Sequence, residues 1–140
     1  MEKMRVMALD VGEKTIGIAI SDDLLMTAQS RPTLRRTNFD ADMRHLRRLV
    51  EENEVQEVVV GNPLHMTGRE GRQSKKAAAF ARRLSEMIGI RVVMWDERLT
   101  SVAAEEHLRD LGLKWRQRRK HIDQIAAMLI LQNYLENRRA

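Results

Sequence analysis

The stretch "ALDVGEKTIGIAISD", residues 8–22, decides the fold of this chain. It contains the end of one apolar run, residues 6–11, then a turn at Gly12, and then a second run, residues 15–21, with isoleucine at alternate positions. Apolar runs of this kind on both sides of a glycine turn are typical of two paired β-strands. The stretch therefore predicts a β-hairpin.

Asp10 is the unusual residue of this hairpin. Because successive strand side chains point to opposite faces, Asp10 shares a face with Val6 and Ala8, where core side chains point. One interpretation is a turn-forming aspartate that hydrogen-bonds to nearby backbone before Gly12. The other interpretation is a functional carboxylate held at the end of a buried strand.

The rest of the chain alternates strand and helix patterns. A weak strand that Pro32 breaks, a helix with Asp40 as N-cap and a helix ended by Gly89 follow the hairpin. A further helix is expected between Thr100, as its N-cap, and Gly112. The predicted strands are 26–34, 55–61 and 90–97, and the predicted helices lie within 40–52, 68–89, 100–112 and 121–137. This order indicates an α/β domain in which helices cover a mixed sheet.

Composition narrows the class of protein. A length of 140 residues suits one domain, residues 1–140. The chain has no cysteine, and its longest unbroken apolar stretch, residues 125–131, is too short to cross a bilayer. The N-terminus has no export signal, so the expected location is the cytoplasm. A net charge of +5 and a pI of about 10.1 favour a polyanionic partner such as nucleic acid.

Acidic residues recur at the ends of the predicted elements. Asp10 ends the first strand, Asp96 and Glu97 end the last strand, and Asp123 lies in the first turn of the last helix. Ligand sites gather at the carboxyl ends of strands in open α/β sheets, so these acids are expected to converge. Clustered carboxylates repel unless a cation offsets them, and Mg²⁺ or Mn²⁺ suits oxygen ligands. On a basic protein this favours phosphodiester hydrolysis, in which two ions about 3.5–4 Å apart activate water and stabilise the leaving oxygen.

These acids also have structural interpretations. In a straight strand Asp96 and Glu97 point to opposite faces, and the pattern does not decide which of them enters a site. Asp123 is favourable near a helix N-terminus through the helix dipole alone. The histidines show no spacing typical of a metal site; they are His45, His65, His107 and His121.

Four segments carry a family resemblance. They are "ALDVGEKTIGIAISD", "VVVGNPLHMTGREG", "DERLTSVAAEEHL" and "KHIDQIAAMLILQNYLE". In this order, and over nearly the whole chain, they resemble the YqgF (RuvX) family of pre-16S rRNA nucleases, also described as Holliday-junction-resolvase-like proteins. The resemblance implies an RNase H-like fold, with a mixed five-stranded sheet whose first three strands are antiparallel and with helices on both faces. It also implies metal-dependent endonucleolytic maturation of the 5′ end of precursor 16S rRNA.

The same resemblance implies which acids form the site. They are Asp10, Glu97 and Asp123, with Asp10 bridging two Mg²⁺ or Mn²⁺ ions and the other two each holding one ion. Asp96 is then either a supporting neighbour of the ligands or a spare ligand. Related Holliday-junction resolvases carry a second aspartate in the last helix, where this chain offers only Gln124 and Gln132 as polar neighbours.

Basic residues near these motifs are candidates for nucleic-acid binding. Lys14 and Arg98 lie beside predicted site acids, and the loop of residues 61–76 leads into a helix N-terminus, where backbone N–H groups suit anions. The segment "KWRQRRK", residues 114–120, contains five cations and Trp115. The cations suit contacts with the phosphate backbone of a nucleic acid, and the tryptophan suits stacking on a base. Solvated surface charges are the alternative throughout. The expected contacts are Lys14, Arg69, Arg72, Arg98, Arg116, Arg118, Arg119 and Lys120.

Several functions remain open on these residues. The expected partner is structured RNA (precursor 16S rRNA or ribosomal particles) or branched DNA, bound by a monomer or homodimer with no membrane involved. A Holliday-junction or recombination nuclease would use the same acids on DNA. A ribosome-associated RNA-binding protein would need no catalytic acids. A nucleotide-binding module is a further option, since "DVGEKTIG" resembles the first phosphate motif of actin-like ATPases, although those proteins have two such domains.

Overall fold

The structure is a computed structural model that describes residues 4–63, 67–97 and 122–139, with side chains in the last range from 125 to 138. In chain order its elements are β1 (Arg5–Val11), β2 (Thr15–Ser21), β3 (Ala28–Arg35), α1 (Phe39–Glu52), β4 (Val55–Asn62), α2 (Arg72–Ile88), β5 (Arg91–Asp96) and α3 (Ile122–Arg139). The helix predicted within 100–112 lies outside the described residues. Of the helices in these ranges, none combines the length and hydropathy of a membrane span.

The strands form one mixed sheet in the order β3-β2-β1-β4-β5. β2 pairs antiparallel with β1 and β3, whereas β4 pairs parallel with β1 and β5. The hairpin closes tightly, because the Gly12 N–H donates to the Thr15 carbonyl at 2.8 Å. A Cβ on Gly12 would lie 3.0 Å from that oxygen, so the turn suits glycine. This topology confirms the predicted hairpin and the predicted five-stranded sheet.

Helices cover the sheet on both faces. α1 and α2 pack on one face, over a core that includes Met7 and Leu9. α3 packs on the other face, over a core that includes Val6 and Ala8. The two cores follow from the alternation of side chains along β1. Asp10 continues the series of Val6 and Ala8, so its side chain lies on the α3 face.

The start of α1 differs from the prediction. The helix begins at Phe39, and its N-cap is Asn38, whose Oδ1 accepts a hydrogen bond from the Ala41 N–H at 2.9 Å. The prediction of Asp40 as N-cap is therefore wrong. Asp40 lies in the first turn instead, where the helix dipole stabilises negative charge. Asn and Asp are about equally good N-caps, so residue type alone does not separate the two positions.

Pro32 does not break β3, although the sequence pattern predicted that it would. Proline lacks a backbone donor and is tolerated at sheet edges and bulges. β3 is an edge strand, and its register with β2 shifts between Ile16 and Ile18, next to Pro32. The proline thus occupies a position where regular pairing is already interrupted. At the end of α2, by contrast, Gly89 is the predicted C-cap, with a left-handed φ of 76°.

The second half of α3 is fixed to the sheet by polar contacts. The Tyr134 hydroxyl donates to the buried Glu57 carboxylate, which Arg138 also contacts at 3.4 Å. Gln132 is buried and accepts a hydrogen bond from the Ala28 N–H at 3.2 Å. These contacts lie at the end of the sheet where β1 begins. The first turn of α3 therefore lies towards the opposite end, where β1 ends.

Candidate acidic site

Asp10 lies on the α3 face near the carboxyl end of β1, and it is half-buried. Across the hairpin it pairs with Gly17 of β2. On the other side, Leu9 pairs with Val60 of β4, so the next β4 residue, Gly61, lies beside Asp10. Glycines therefore flank Asp10 on both neighbouring strands. Neither neighbouring residue therefore places a side chain of its own against the Asp10 carboxylate.

Glu97 directly follows β5, and its backbone continues the sheet. Its N–H donates to the Asn62 carbonyl at 3.1 Å. Trp95 packs on the α3 face, so the alternation of the strand places Glu97 on that face and Asp96 on the opposite face. The structure thus indicates Glu97, rather than Asp96, as the neighbour of Asp10.

The glycine at position 61 accommodates the Glu97 side chain. A Cβ built on Gly61 would lie 3.1 Å from Cδ and 3.3 Å from Cγ of Glu97. It would also lie 2.6 Å from Cδ1 of Ile130 in α3. The Glu97 side chain therefore turns back over β4, towards Asp10 on the next strand. Sequence reasoning read this glycine only as the end of a strand and missed its part in the site.

Electrostatics favour a cation between the two acids. The pKa of Glu97 is raised to about 7, mainly because the side chain is buried and further because the negative charges of Asp10 and Asp96 lie nearby. Desolvation and like charges both disfavour the ionised carboxylate, and a bound cation reverses that effect. A bound cation would therefore stabilise the ionised form of the two carboxylates.

A hydrogen bond from α2 also helps to fix the backbone at Glu97. The buried Ser74 hydroxyl donates to Oδ1 of Asn62 at 2.5 Å. The same Asn62 accepts the Glu97 N–H through its backbone carbonyl. Asn62 thereby connects the first turn of α2 to the residue that carries the site carboxylate. Ser74 was not identified from the sequence, because a serine near a helix start has no distinctive signal.

The other possible metal ligands are either outside the described side chains or away from the site. Asp123 belongs to the first turn of α3, and its side chain is outside the described ones. Gln132 does not replace a missing carboxylate at the site, because it bonds to the start of β3 at the far end of the sheet. Among the side chains that the structure describes, no three acids or histidines form a group able to hold a metal ion. The described part of the site is the pair of Asp10 and Glu97.

The predicted nucleic-acid contacts are partly described. Lys14, Arg69 and Arg72 are all exposed, as contacts with phosphate require. Lys76, in the same basic segment, forms an ion pair with Glu13 at 3.0 Å and so connects α2 to the hairpin turn. The other predicted contacts lie outside the described residues; they are Arg98, Arg116, Arg118, Arg119 and Lys120.

Solved structures show a related fold. Thermus thermophilus RuvC in complex with a Holliday junction substrate superimposes with a TM-score of 0.62 at 14% identity, over 98% of this chain and 96% of that one. The fowlpox virus Holliday junction resolvase gives a TM-score of 0.53 at 15% identity, over 96% and 99% of the two chains. At these identities the likeness shows the fold alone, and it confirms the predicted RNase H-like architecture.

Sequence comparison identifies the family. The family model of RuvX, described as a Holliday junction resolvase, matches residues 4–137. A protein of Moorella thermoacetica with the name "Putative pre-16S rRNA nuclease" is 50% identical over 133 residues, which cover 95% of each chain. A protein of the same name from Myxococcus xanthus is 46% identical over 136 residues, which cover 97% of this chain and 90% of that one. The chain therefore belongs to the RuvX family, as its four sequence motifs predict.

Proposed function

We propose that this chain is a metal-dependent endonuclease that hydrolyses phosphodiester bonds in RNA, in the 5′-end maturation of precursor 16S rRNA. The observation that carries the proposal is the position of Asp10 and Glu97 on one face of the sheet, on the two sides of Gly61. Membership of the RuvX family and the name of its relatives support this reaction and this substrate. We expect the chain to act as one domain, residues 1–140, in the cytoplasm.

Mg²⁺ or Mn²⁺ fits the donor set of the site. Both are hard cations that bind carboxylate oxygens. Gly61 lets the Glu97 side chain lie over β4 towards Asp10, so the oxygens of two carboxylates are on one face of the sheet. The raised pKa of Glu97 means that its ionised form lacks a compensating positive charge in the described structure. A divalent cation would supply that charge.

Asp123 is the proposed third ligand. It precedes Ile130 by about two helical turns, so both positions lie on the same side of α3. Ile130 reaches the space above Gly61, and from there α3 runs towards the end of the sheet where β1 begins. The first turn of α3 consequently lies at the end of the sheet where β1 and β5 end, near Asp10 and Glu97. The course of the helix supports the proposal that Asp123 joins the acidic pair.

Each residue then has a defined task. Bound Mg²⁺ or Mn²⁺ supplies Lewis-acid activation of water and stabilises the leaving oxygen. Asp10, Glu97 and Asp123 are the residues that would hold the metal, with Asp10 as the ligand that two ions would share. Lys14, exposed on the turn that follows Asp10, binds a phosphate oxygen and orients the strand. Burial of Glu97 on the α3 face limits the access of bulk water to its carboxylate.

A DNA junction nuclease is the second candidate. The description of the family and the junction bound to the RuvC neighbour both favour it. However, that neighbour shares 14% of its residues with this chain, whereas the relatives named for pre-16S rRNA share 42–50%. The same acids would serve either substrate. We therefore place precursor 16S rRNA first.

Cleavage of two substrates under one condition tests the proposal. A precursor 16S rRNA fragment and a four-way DNA junction are incubated with the protein at equal ionic strength in Mg²⁺ or Mn²⁺. We expect a higher kcat/KM on the RNA, and we expect Asp10→Asn to bind RNA without cutting it. Faster cleavage of the junction would favour the second candidate. Cleavage by Asp10→Asn at the wild-type rate would show that the acidic site is wrong or that the activity is a contaminant. RNA binding without cleavage by the wild type would leave only an RNA-binding role.

A further inference from the structure

A cleft lies on the α1–α2 face, next to the acidic site but separate from it. Its volume is about 680 Å³, which is in the usual range for ligand sites. It opens between the hairpin turn, the start of α1 and one side of α2. Its lining includes Val11, Gly12 and Glu13, which directly follow Asp10 in the chain. Asp10 itself points to the α3 face, so the cleft and the acidic pair lie on opposite faces of the sheet, and the hairpin turn that follows Asp10 forms part of the cleft wall.

Arg83 is a basic residue of this cleft whose guanidinium is held in position by an aromatic ring. Its guanidinium carbon lies 3.4 Å from the centroid of the Phe39 ring, so the planar group stacks on the ring. The Arg83 side chain is exposed and lines the cleft, so a ligand in the cleft can reach it.

The other basic side chains that line the cleft have acidic partners. These ion pairs are Arg36 with Asp42 at 3.4 Å and Lys76 with Glu13 at 3.0 Å. Arg83, by contrast, forms no ion pair within the described residues. The positive charge that the cleft offers to an incoming anion is therefore concentrated on the Arg83 side chain.

We propose that this cleft binds an unpaired nucleotide of the RNA strand, adjacent to the phosphodiester that is cut, with its base stacked on the Arg83 guanidinium. The inference rests on the proposed nuclease function for the identity of the strand. Single-stranded bases stack on aromatic rings and on arginine planes, and a guanidinium adds attraction for phosphate. The Phe39 ring holds the plane in position before the ligand arrives, which lowers the entropy cost of binding.

The route of the strand follows from the position of the two sites. A strand with its scissile phosphate at Asp10 would reach the cleft over the hairpin turn, which follows Asp10 and forms part of the cleft wall. Lys14 is exposed on that turn, and Arg72 is exposed at the start of α2 beside it. Both can contact phosphates between the two sites, because such contacts need no particular base. The cleft would thus select substrates with a single-stranded flank next to the cleavage position.

Binding measured without metal tests this inference separately from catalysis. A fluorescently labelled single-stranded oligoribonucleotide is titrated in EDTA with the wild type, Arg83→Ala, Arg83→Lys and Arg82→Ala. Arg82 is the matched control, since it is an exposed arginine of the same helix that does not line the cleft. Adenosine monophosphate serves as competitor, to distinguish a strand from a free nucleotide.

We expect Arg83→Ala to weaken binding at least about fivefold, because a stacked base contributes that much or more. Arg83→Lys should be nearly as weak, because lysine keeps the charge and loses the plane. Arg82→Ala should stay within about twofold of the wild type, as expected for one distant charge. Equal losses in Arg83→Ala and Arg82→Ala would overturn the inference, and so would adenosine monophosphate binding as tightly as the oligonucleotide.

The two proposals can fail independently. If Asp10→Asn abolishes cleavage and Arg83→Ala binds like the wild type, the nuclease function holds and the cleft inference is wrong. If no protein cuts RNA and Arg83→Ala alone binds poorly, the cleft binds a nucleotide of the strand as inferred, but the nuclease function and the position beside a cleaved bond are wrong. Circular dichroism of each variant confirms its fold, and Arg83→Lys repeats the test with a smaller change.

Discussion

The Glu97 side chain lies over Gly61, so closely that a Cβ on Gly61 would be 3.1 Å from Cδ of Glu97. The glycine separates Glu97 from Asp10, which lies beside it on the neighbouring strand. This relationship explains how a residue after β5 can act together with a residue of β1 although β4 lies between the two strands. The absence of a side chain at position 61 is what allows the Glu97 side chain to lie over β4.

Gly61→Ala should therefore impair cleavage more than stability. The new methyl group would displace Cδ1 of Ile130, the end of a flexible side chain, and would push the Glu97 carboxylate away from Asp10. We expect a loss of at least about tenfold in kcat, since small misplacements of catalytic groups are costly, with about 1–3 kcal/mol of destabilisation from overpacking. Single-turnover cleavage and urea unfolding measure the two effects.

Gly89→Ala is the matched control for that variant. Gly89 has a φ of 76°, and a Cβ at this position would meet no atom within 4 Å, so the substitution costs about 1–2 kcal/mol through backbone strain alone. Its kcat should equal that of the wild type. If both variants lost kcat in proportion to their stability, the special role of Gly61 would be refuted.

Ser74→Ala should lower kcat although Ser74 contacts no acid of the site. The variant removes the hydrogen bond to Asn62, whose carbonyl fixes the Glu97 backbone. We expect about 1 kcal/mol of lost stability and a measurable decrease in kcat with little change in RNA affinity. Ser85→Ala, on the same helix, is the comparison. Equal kcat values for the two variants would show that Asn62 needs no support from α2.

The raised pKa of Glu97 predicts how the stability of the metal-free protein depends on pH. The folded protein holds the Glu97 proton more tightly than the unfolded chain, with a pKa of about 7 against 4.5. The corresponding stability is fully present below about pH 4.5 and is lost as the pH rises through 7. In EDTA, Glu97→Gln should therefore gain stability relative to the wild type over this range. Parallel curves of Tm against pH for the two proteins would contradict the assigned environment.

Asn38→Ala should destabilise the protein by about 1 kcal/mol, because it removes the N-cap of α1. Asp40→Ala should cost less than half of that, since Asp40 contributes only through the helix dipole. Urea unfolding of both variants measures the difference. A larger loss for Asp40→Ala would restore the capping role that the sequence pattern assigned to it.

Regular alternation made the sheet predictable from the sequence. The isoleucines of β2 and the apolar residues of β1 place Asp10 on its face without ambiguity, and the structure agrees. The orientation of Glu97 was harder, because two adjacent acids end β5 and periodicity does not say where the strand stops. Gly61 and Ser74 were missed because their roles depend on contacts between strands and helices that are distant in sequence. No local pattern encodes such contacts.

Cleavage of a precursor 16S rRNA fragment by Asp96→Asn and Glu97→Gln, compared in Mg²⁺, tests the acidic site most directly. The two residues are adjacent carboxylic acids, but the strand places only Glu97 on the face of Asp10. We predict that Asp96→Asn cuts the RNA at a rate close to that of the wild type and that Glu97→Gln does not cut above the metal-free background. Cleavage by Glu97→Gln together with an inactive Asp96→Asn would contradict the pairing of Asp10 with Glu97.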